Sequence, residues 1–475
     1  MPRRSEGPLN AAAPLGSGRG DTSLPWSVKA GFGLGDHSLN FTFSALSLLY
    51  LYFLTEVAGL RPGLAAFVLL VARTIDAFTD PAMGRLSDLT RWRGERRRPY
   101  FLLGALPYGL TFALLWQDLP FDGQMTRFAA YSAAYVLHTC FSTMLGVPYI
   151  ALLPEMALGY QERTSMNSFR AAGSVVGTLL AAVALRPLVD LFGGGALGFA
   201  WAGLLAGIWA ALPWLIVHHA TWERPDFARP VRMGFFAGAR RAAAHGTYRR
   251  LVALFLAARI AVDLVAALLI FYVTYWLRHA DDFPTILGCL LIAAVASLPF
   301  WLWVSRFTDK ATIFIFGACW WIVAQLMLLL PQPSWPAWTM FALAIATGFG
   351  YAVADMMPWS MLGDVIDEDD LVTGERREGI YSGFFTFLRK LGGATAVALA
   401  GVVLDFAGLA RGPEQPASAL LAIRILTAAV PAFFLAIAAA VAWSYPLTRE
   451  RHATILQRLQ ARNRSPVPPM SQGLS

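Results

Sequence analysis

The sequence predicts an all-α membrane protein of twelve transmembrane helices arranged as two six-helix bundles. Three observations carry that prediction. Charged residues make up 14% of the 475-residue chain and hydrophobic residues 57%, whereas soluble domains hold about 25% charged residues. The apolar residues gather in blocks of roughly 20, each long enough to cross the ~30 Å hydrocarbon core as a helix. The arginines crowd into alternate connections between those blocks, as the positive-inside rule requires. Continuous apolar blocks exclude a β-barrel, whose strands alternate with period two.

The elements follow in order. Residues 1–27, opening on Met1-Pro2-Arg3-Arg4 and rich in Gly, Ser and Pro, read as a cytoplasmic tail without a cleavable signal. The blocks are placed at 28–55, 62–86, 99–117, 126–152, 165–187 and 196–219, then at 249–278, 283–305, 311–330, 335–362, 379–406 and 419–446. Arg85, Arg91, Arg96 to Arg98, Arg163, the arginines of 224–250, Arg306 with Lys310, and Arg376 with Arg377 mark one set of connections. That set is cytoplasmic, and an even number of spans puts both termini on the same side. The central segment 220–248 divides the chain into an N-terminal bundle, 28–219, and a C-terminal bundle, 249–446. A tail, 447–475, follows, polar and Pro-rich after Arg464. Two such bundles are the layout of the major facilitator superfamily, whose substrate site lies near the membrane midplane.

Charges inside the blocks each call for an explanation, since one at a helix centre costs roughly 2.5–3.5 kcal/mol on insertion scales. In the second block Arg73, Asp76 and Asp80 lie at i, i+3 and i+7, on one helical face. Two carboxylates four residues apart can share a Na⁺ or exchange a proton; alternatively, they form a structural ion pair with Arg73. Asp36 and Asn40 share a face of the first block, suited to a polar substrate or to an interhelical hydrogen bond. Lys390 is one of three lysines and sits beside Arg389 deep in the eleventh block, where it can compete with a cation for the two carboxylates. Arg259 and Asp263, at i and i+4, read as a mutually neutralising pair. Arg170 either lines the cavity or lies near the interface. The acidic run Asp364 to Asp370, read as a loop, can pair across the bundles with the basic run Arg91 to Arg98 as a gate, or be solvated.

Other classes are excluded by what the sequence lacks. Cys140, Cys289 and Cys319 sit singly in separate blocks, as small buried hydrophobes do. No phosphate-binding loop of the type GxxxxGK[ST] is present, which excludes a primary pump. The few histidines form no nucleophile–base set or metal motif, so an enzyme is not expected. The formal charge of +8 resides in the orienting loops and does not indicate nucleic acid.

Longer stretches carry a resemblance. RTIDAFTDPAMGRLSDLTRWRGERRRPY at 73–100, VPYIALLPEM at 147–156, ERTSMNSFR at 162–170, PWSMLGDVIDEDD at 358–370 and TGERREGIYSGFFTFLRKLGG at 373–393 resemble the glycoside–pentoside–hexuronide:cation symporters. That resemblance implies that Asp76 and Asp80 are the paired cation carboxylates, and the metal ligands if the ion is Na⁺, with Thr143 as a supporting hydroxyl. It implies substrate roles for Asp36, beside Asn40, and for Arg170, and coupling roles for Lys390 and Arg73. The expected carrier is a multi-pass inner-membrane symporter, monomeric by default. It moves a sugar or glycoside by alternating access, coupled to Na⁺ or H⁺, with no other cofactor and lipid as its surroundings. Cation entry neutralises Asp76 and Asp80 and releases Lys390 or Arg73. The family's best-known sugar carrier has an acidic residue just before the Ile-Pro of helix four, where this chain has Gly146 ahead of Val147-Pro148. VPYIAL, PWSMLGDVID and LDFAGL (404–409) are also similar to sodium-dependent lysophospholipid symporters; the alternative is therefore a lysolipid substrate.

Overall fold

The structure, a computed structural model, describes residues 24–92, 95–157, 160–223, 240, 242–374 and 377–464. Most of the predicted N-terminal tail and central segment, together with Arg93, Arg376 and the end of the C-terminal tail, lie outside the described residues. Every described secondary-structure element is helical. Helix α1, Trp26–Ala45, continues through π-helical turns at Leu46–Tyr50 and Phe53–Val57. There follow α2 (Pro62–Leu89), α3 (Pro99–Leu115), α4 (Gln124–Met156), α5 (Tyr160–Leu191) and α6 (Gly195–Ala220). The second bundle holds α7 (Gly246–Phe271, with a π turn at Tyr272–Trp276), α8 (Phe283–Val304), α9 (Lys310–Met327), α10 (Ala337–Thr373) and α11 (Glu378–Phe406). It ends with α12, which runs unbroken through Ala417–Arg424, a π turn at Ile425–Ala429 and Val430–Trp443. A further helix, α13 (Arg449–Arg464), follows it.

Ten of these helices are long and apolar enough to cross a membrane. The 17-residue α3 spans about 25 Å at 1.5 Å per residue, and α1 with its π turns completes the twelve. Large side chains such as Leu106, Trp209 and Phe433 are exposed, as a lipid-facing surface requires.

Two expectations change. The acidic run Asp364 to Asp370 is not a loop but the last turns of α10, and the predicted tail contains α13. Hydropathy marks only the part of a helix inside the hydrocarbon, and a helix that continues into water loses its apolar signal without losing its hydrogen bonds. The cysteines also differ: Cys140 and Cys319 are exposed and Cys289 is half-buried, because a thiol tolerates a lipid face as well as a protein core.

Without a hydrophobic drive in lipid, packing depends on close backbone approach. A Cβ on Gly173 of α5 would lie 2.2 Å from the Gly33 carbonyl oxygen of α1, and one on Gly177 would lie 2.3 Å from that of His37. The two helices therefore touch backbone to backbone.

Between the bundles, α2 packs on α11, α5 on α8, and the π-helical end of α1 on α7. At the end of the molecule remote from α13, the bundles are tied together. The Gly412 amide donates to Glu56 at 3.2 Å, and the Tyr52 and Phe271 rings lie 5.7 Å apart. At the opposite end each charged cluster is satisfied within its own bundle. Arg96 and Arg97 bond Glu155, and Arg97 also bonds Asp88. Lys310, Arg377, Arg451, His452 and Arg462 take Asp364, Asp369, Glu368, Asp367 and Asp370 respectively. Among the described residues, the two runs expected to pair as a gate do not meet in this state.

Candidate functional site

The α2 face that carries Asp76 and Asp80 turns toward α4 and α11. Asp76 is buried, and Asp80 lies one turn further toward the end that bears α13. The Thr143 hydroxyl of α4 lies 3.0 Å from Asp76 Oδ1 and 3.1 Å from Asp80 Oδ1; having one proton, it donates to one at a time. The Lys390 ammonium of α11 is 2.7 Å from Asp76 Oδ2 and 2.6 Å from Asp80 Oδ2. A cation thus sits between two carboxylates, and that cation is a side chain of the other bundle.

Next to Asp80 stands Pro81, inside the helix. A proline has no N–H for the carbonyl four residues back, so the Ala77 oxygen loses its helical partner. Two carboxylates, a hydroxyl and a freed carbonyl are hard oxygen donors of the kind Na⁺ takes. No group of three or more His, Cys, Asp or Glu side chains suited to a metal ion occurs among the described residues.

Arg73 behaves otherwise than expected. Among the described residues it forms no ion pair with Asp76 or Asp80; its guanidinium lies 4.4 Å from the centroid of the Phe43 ring. At one turn's remove from Asp76 it extends toward α1 and lines a cavity of about 50 Å³ with Arg389 and Lys390. Among the described residues, Lys390 is the one cation paired with these two carboxylates.

Asp36 of α1 and Arg170 of α5 come together, Nε to Oδ2, at 2.5 Å. The Tyr149 hydroxyl donates to the same carboxylate at 2.8 Å. Asn40 donates to the Asp36 carbonyl oxygen at 2.8 Å. Tyr149 was not singled out in the sequence, where a tyrosine in a membrane helix gives no charge signal. Gly146, on the same helix, abuts Leu39: a Cβ there would meet its Cδ1 at 3.4 Å. The place the resemblance gives to a sugar-binding acid is bordered here by an aliphatic side chain.

A cavity of about 680 Å³ lies at the bundle interface, bounded by α1, α5, α7, α8, α10 and α11. Of the expected substrate residues, Asn40 lines it, while Asp36 and Arg170 lie one turn further toward the α13 end. Its polar wall comes from Arg259, Tyr351, Asp355 and Arg389. Arg259 bonds Asp263 at 2.6 Å and Asp355 at 3.2 Å, so the pair read from spacing is a triad. Gly393 of α11 makes room for it, since a Cβ there would stand 1.7 Å from Asp263 Oδ2. The opposite wall, from α8, is aliphatic: Leu291, Ile292, Val295 and Leu298. A smaller cavity shares Leu291 and continues between Val262, Val265, Leu269, Leu287 and Leu290.

Comparison with known proteins agrees with this architecture. Residues 31–449 match the family described as MFS/sugar transport protein. An uncharacterized symporter of Synechocystis is 31% identical, the alignment covering 93% of this chain and 98% of that protein. A sodium-dependent lysophosphatidylcholine symporter of zebrafish is 28% identical over 92% of this chain and 88% of its own length. The inward-open xylose transporter of E. coli superposes with a TM-score of 0.65 over 92% of this chain and 99% of that one, at 13% identity.

Proposed function

From the premise that the chain belongs to the MFS/sugar transport protein family and is a membrane transporter, not an enzyme, we propose a cation-coupled symporter. It works by alternating access and carries a sugar or glycoside. The observation that carries this reading is Lys390 bridging Asp76 and Asp80 across the bundle interface. A Na⁺ or proton entering between the carboxylates removes the reason for that bridge. The link between α2 and α11 is then free to break as the bundles rock. Breaking a buried ion pair by removing one partner costs about 3–5 kcal/mol. Lys390 therefore leaves only when a second cation replaces it, and an uncoupled return with the carboxylates bare is disfavoured.

With the arginine-rich side cytoplasmic, the tie between Glu56 and Gly412 lies on the periplasmic side, and the state described is inward-facing. The 680 Å³ cavity is of a size to hold a mono- or disaccharide glycoside, and Asn40, Ser44, Ser174 and Thr178 offer it hydrogen bonds.

A second reading is favoured by one feature. The aliphatic α8 wall and its continuation between α7 and α8 suit the acyl chain of a lysophospholipid better than a sugar ring, and Gly146 beside Leu39 removes the sugar-type acid. Uptake into proteoliposomes separates the readings, using glycosides, pentosides, hexuronides and a lysophospholipid with Na⁺ and pH gradients imposed in turn. Glycoside accumulation driven by one gradient supports the first and identifies the ion. Lysolipid movement without sugar uptake supports the second. No dependence on either gradient would sink both.

A further inference from the structure

Among the described residues, two guanidiniums in the middle of this membrane protein make no ion pair, although Asp263 lines the same cavity. Arg389 makes no hydrogen bond or ion pair among the described residues, and its Nε is buried without a partner; the guanidinium lies 5.7 Å from the Phe43 ring centroid. Arg73 contacts the same ring from α2. Both border a cavity of about 50 Å³ that shares Phe43, Arg259 and Arg389 with the large central cavity and is also lined by Lys390 and by the carboxylate of Asp263. Unpaired charge at this depth is costly and calls for a partner.

In this state the neighbouring carboxylates are bonded to other bases. Lys390 holds Asp76 and Asp80, and Arg259 holds Asp263 and Asp355. Each set has two acids and one base, a formal charge of −1. Arg73 and Arg389 restore neutrality to the whole cluster, but from a position where no carboxylate bonds them. A monovalent cation added between Asp76 and Asp80 leaves an excess of one positive charge beside this cavity.

We propose that Arg73 and Arg389 form an anion subsite of the central cavity that receives an oxyanion of the transported substrate, a carboxylate or a phosphate ester. This rests on the symport reading and adds to it the charge of the cargo. A guanidinium presents a planar fork of donors matched to an oxyanion. The Phe43 ring covers part of both cations without satisfying their N–H groups. The 50 Å³ cavity admits such a group while the remainder of the substrate occupies the larger space. Cation and anion then favour each other's binding: the first creates the excess charge and the second cancels it.

The test uses the full-length protein and two matched pairs that differ in the oxyanion alone: phenyl glucuronide against phenyl glucoside, and an acyl lysophosphatidate against the monoacylglycerol of the same chain. Binding is read as the melting shift of the detergent-purified protein, and transport as gradient-driven uptake into proteoliposomes. The expected result is that one oxyanion member binds and accumulates while its neutral counterpart does not. Saturating cation should tighten that binding about tenfold. R389Q should weaken it at least tenfold while keeping the melting shift produced by the cation alone, and R389K should lie between. A response in the first pair identifies a sugar acid, and in the second a lysolipid headgroup. Equal handling of neutral and anionic members, or equal losses on both in R389Q, overturns the subsite, as does the absence of any oxyanion-dependent shift. If an oxyanion member shifts wild type but not R389Q while nothing accumulates under any gradient, the subsite stands and symport falls.

Discussion

Lys390 of α11 meets Asp80 of α2 at 2.6 Å although 310 residues separate them in the chain, and the same ammonium holds Asp76. One side chain thus joins the two bundles at the proposed cation site.

Replacing Lys390 with methionine removes the competitor and leaves two carboxylates facing each other. Apparent affinity for the coupling cation should rise about tenfold, equivalent to ~1.4 kcal/mol, while substrate accumulation falls because the cation no longer has a link to break. Cation titration of thermal stability, alongside uptake, measures both. An unchanged cation affinity would show that Lys390 and the ion do not share the site.

Asp76→Asn and Asp80→Asn should each abolish gradient-driven accumulation, a loss of more than tenfold. Each leaves Lys390 one carboxylate, so the fold should persist. Uptake driven by an imposed Na⁺ or pH gradient, on protein shown to be monodisperse, decides the matter; wild-type accumulation in Asp76→Asn would remove this carboxylate from the cation site.

Thr143→Val removes the hydroxyl that lies between Asp76 and Asp80. A hydrogen bond to a charged group is worth about 1.5–3 kcal/mol, so cation affinity should fall roughly tenfold or more, and Thr143→Ser should restore most of it. Equal behaviour of the valine and serine variants would assign Thr143 to packing alone.

Gly393→Ala drives a methyl group into Asp263 Oδ2. The carboxylate must turn away, and Arg259 is left with Asp355 alone. Overpacking of this kind costs about 1–3 kcal/mol, and it should appear as a lower melting temperature and a raised substrate KM with cation affinity preserved. A melting temperature equal to wild type would mean that α7 and α11 separate more easily than their packing suggests.

The sequence makes some of this legible for a physical reason. Asp76, Asp80 and Lys390 are conspicuous because ionised groups are rare inside apolar blocks, and each can be found without knowing its neighbours. The twelve spans are visible because lipid demands continuous apolar length. The Tyr149 hydroxyl on Asp36 and the second partner of Arg259 are not, because a contact between helices distant in sequence leaves no period. Arg389 was visible, but only as the neighbour of Lys390. Its lack of an ion pair among the described residues is a property of the packed bundle. The end of α10 was misread because a helix leaving the membrane exchanges apolar residues for acids while its backbone pattern stays the same.

The clasp of α13 on the acidic end of α10 also bears on the order in which the molecule is built. Arg462 meets Asp370 across 92 residues of chain, which a ribosome adding 5–20 residues per second takes on the order of ten seconds to make. Until then Glu368 and Asp370 lack the arginines that hold them. The second bundle is consequently finished last, and its final stitch is made by a polar helix that emerges after the last membrane span has been inserted.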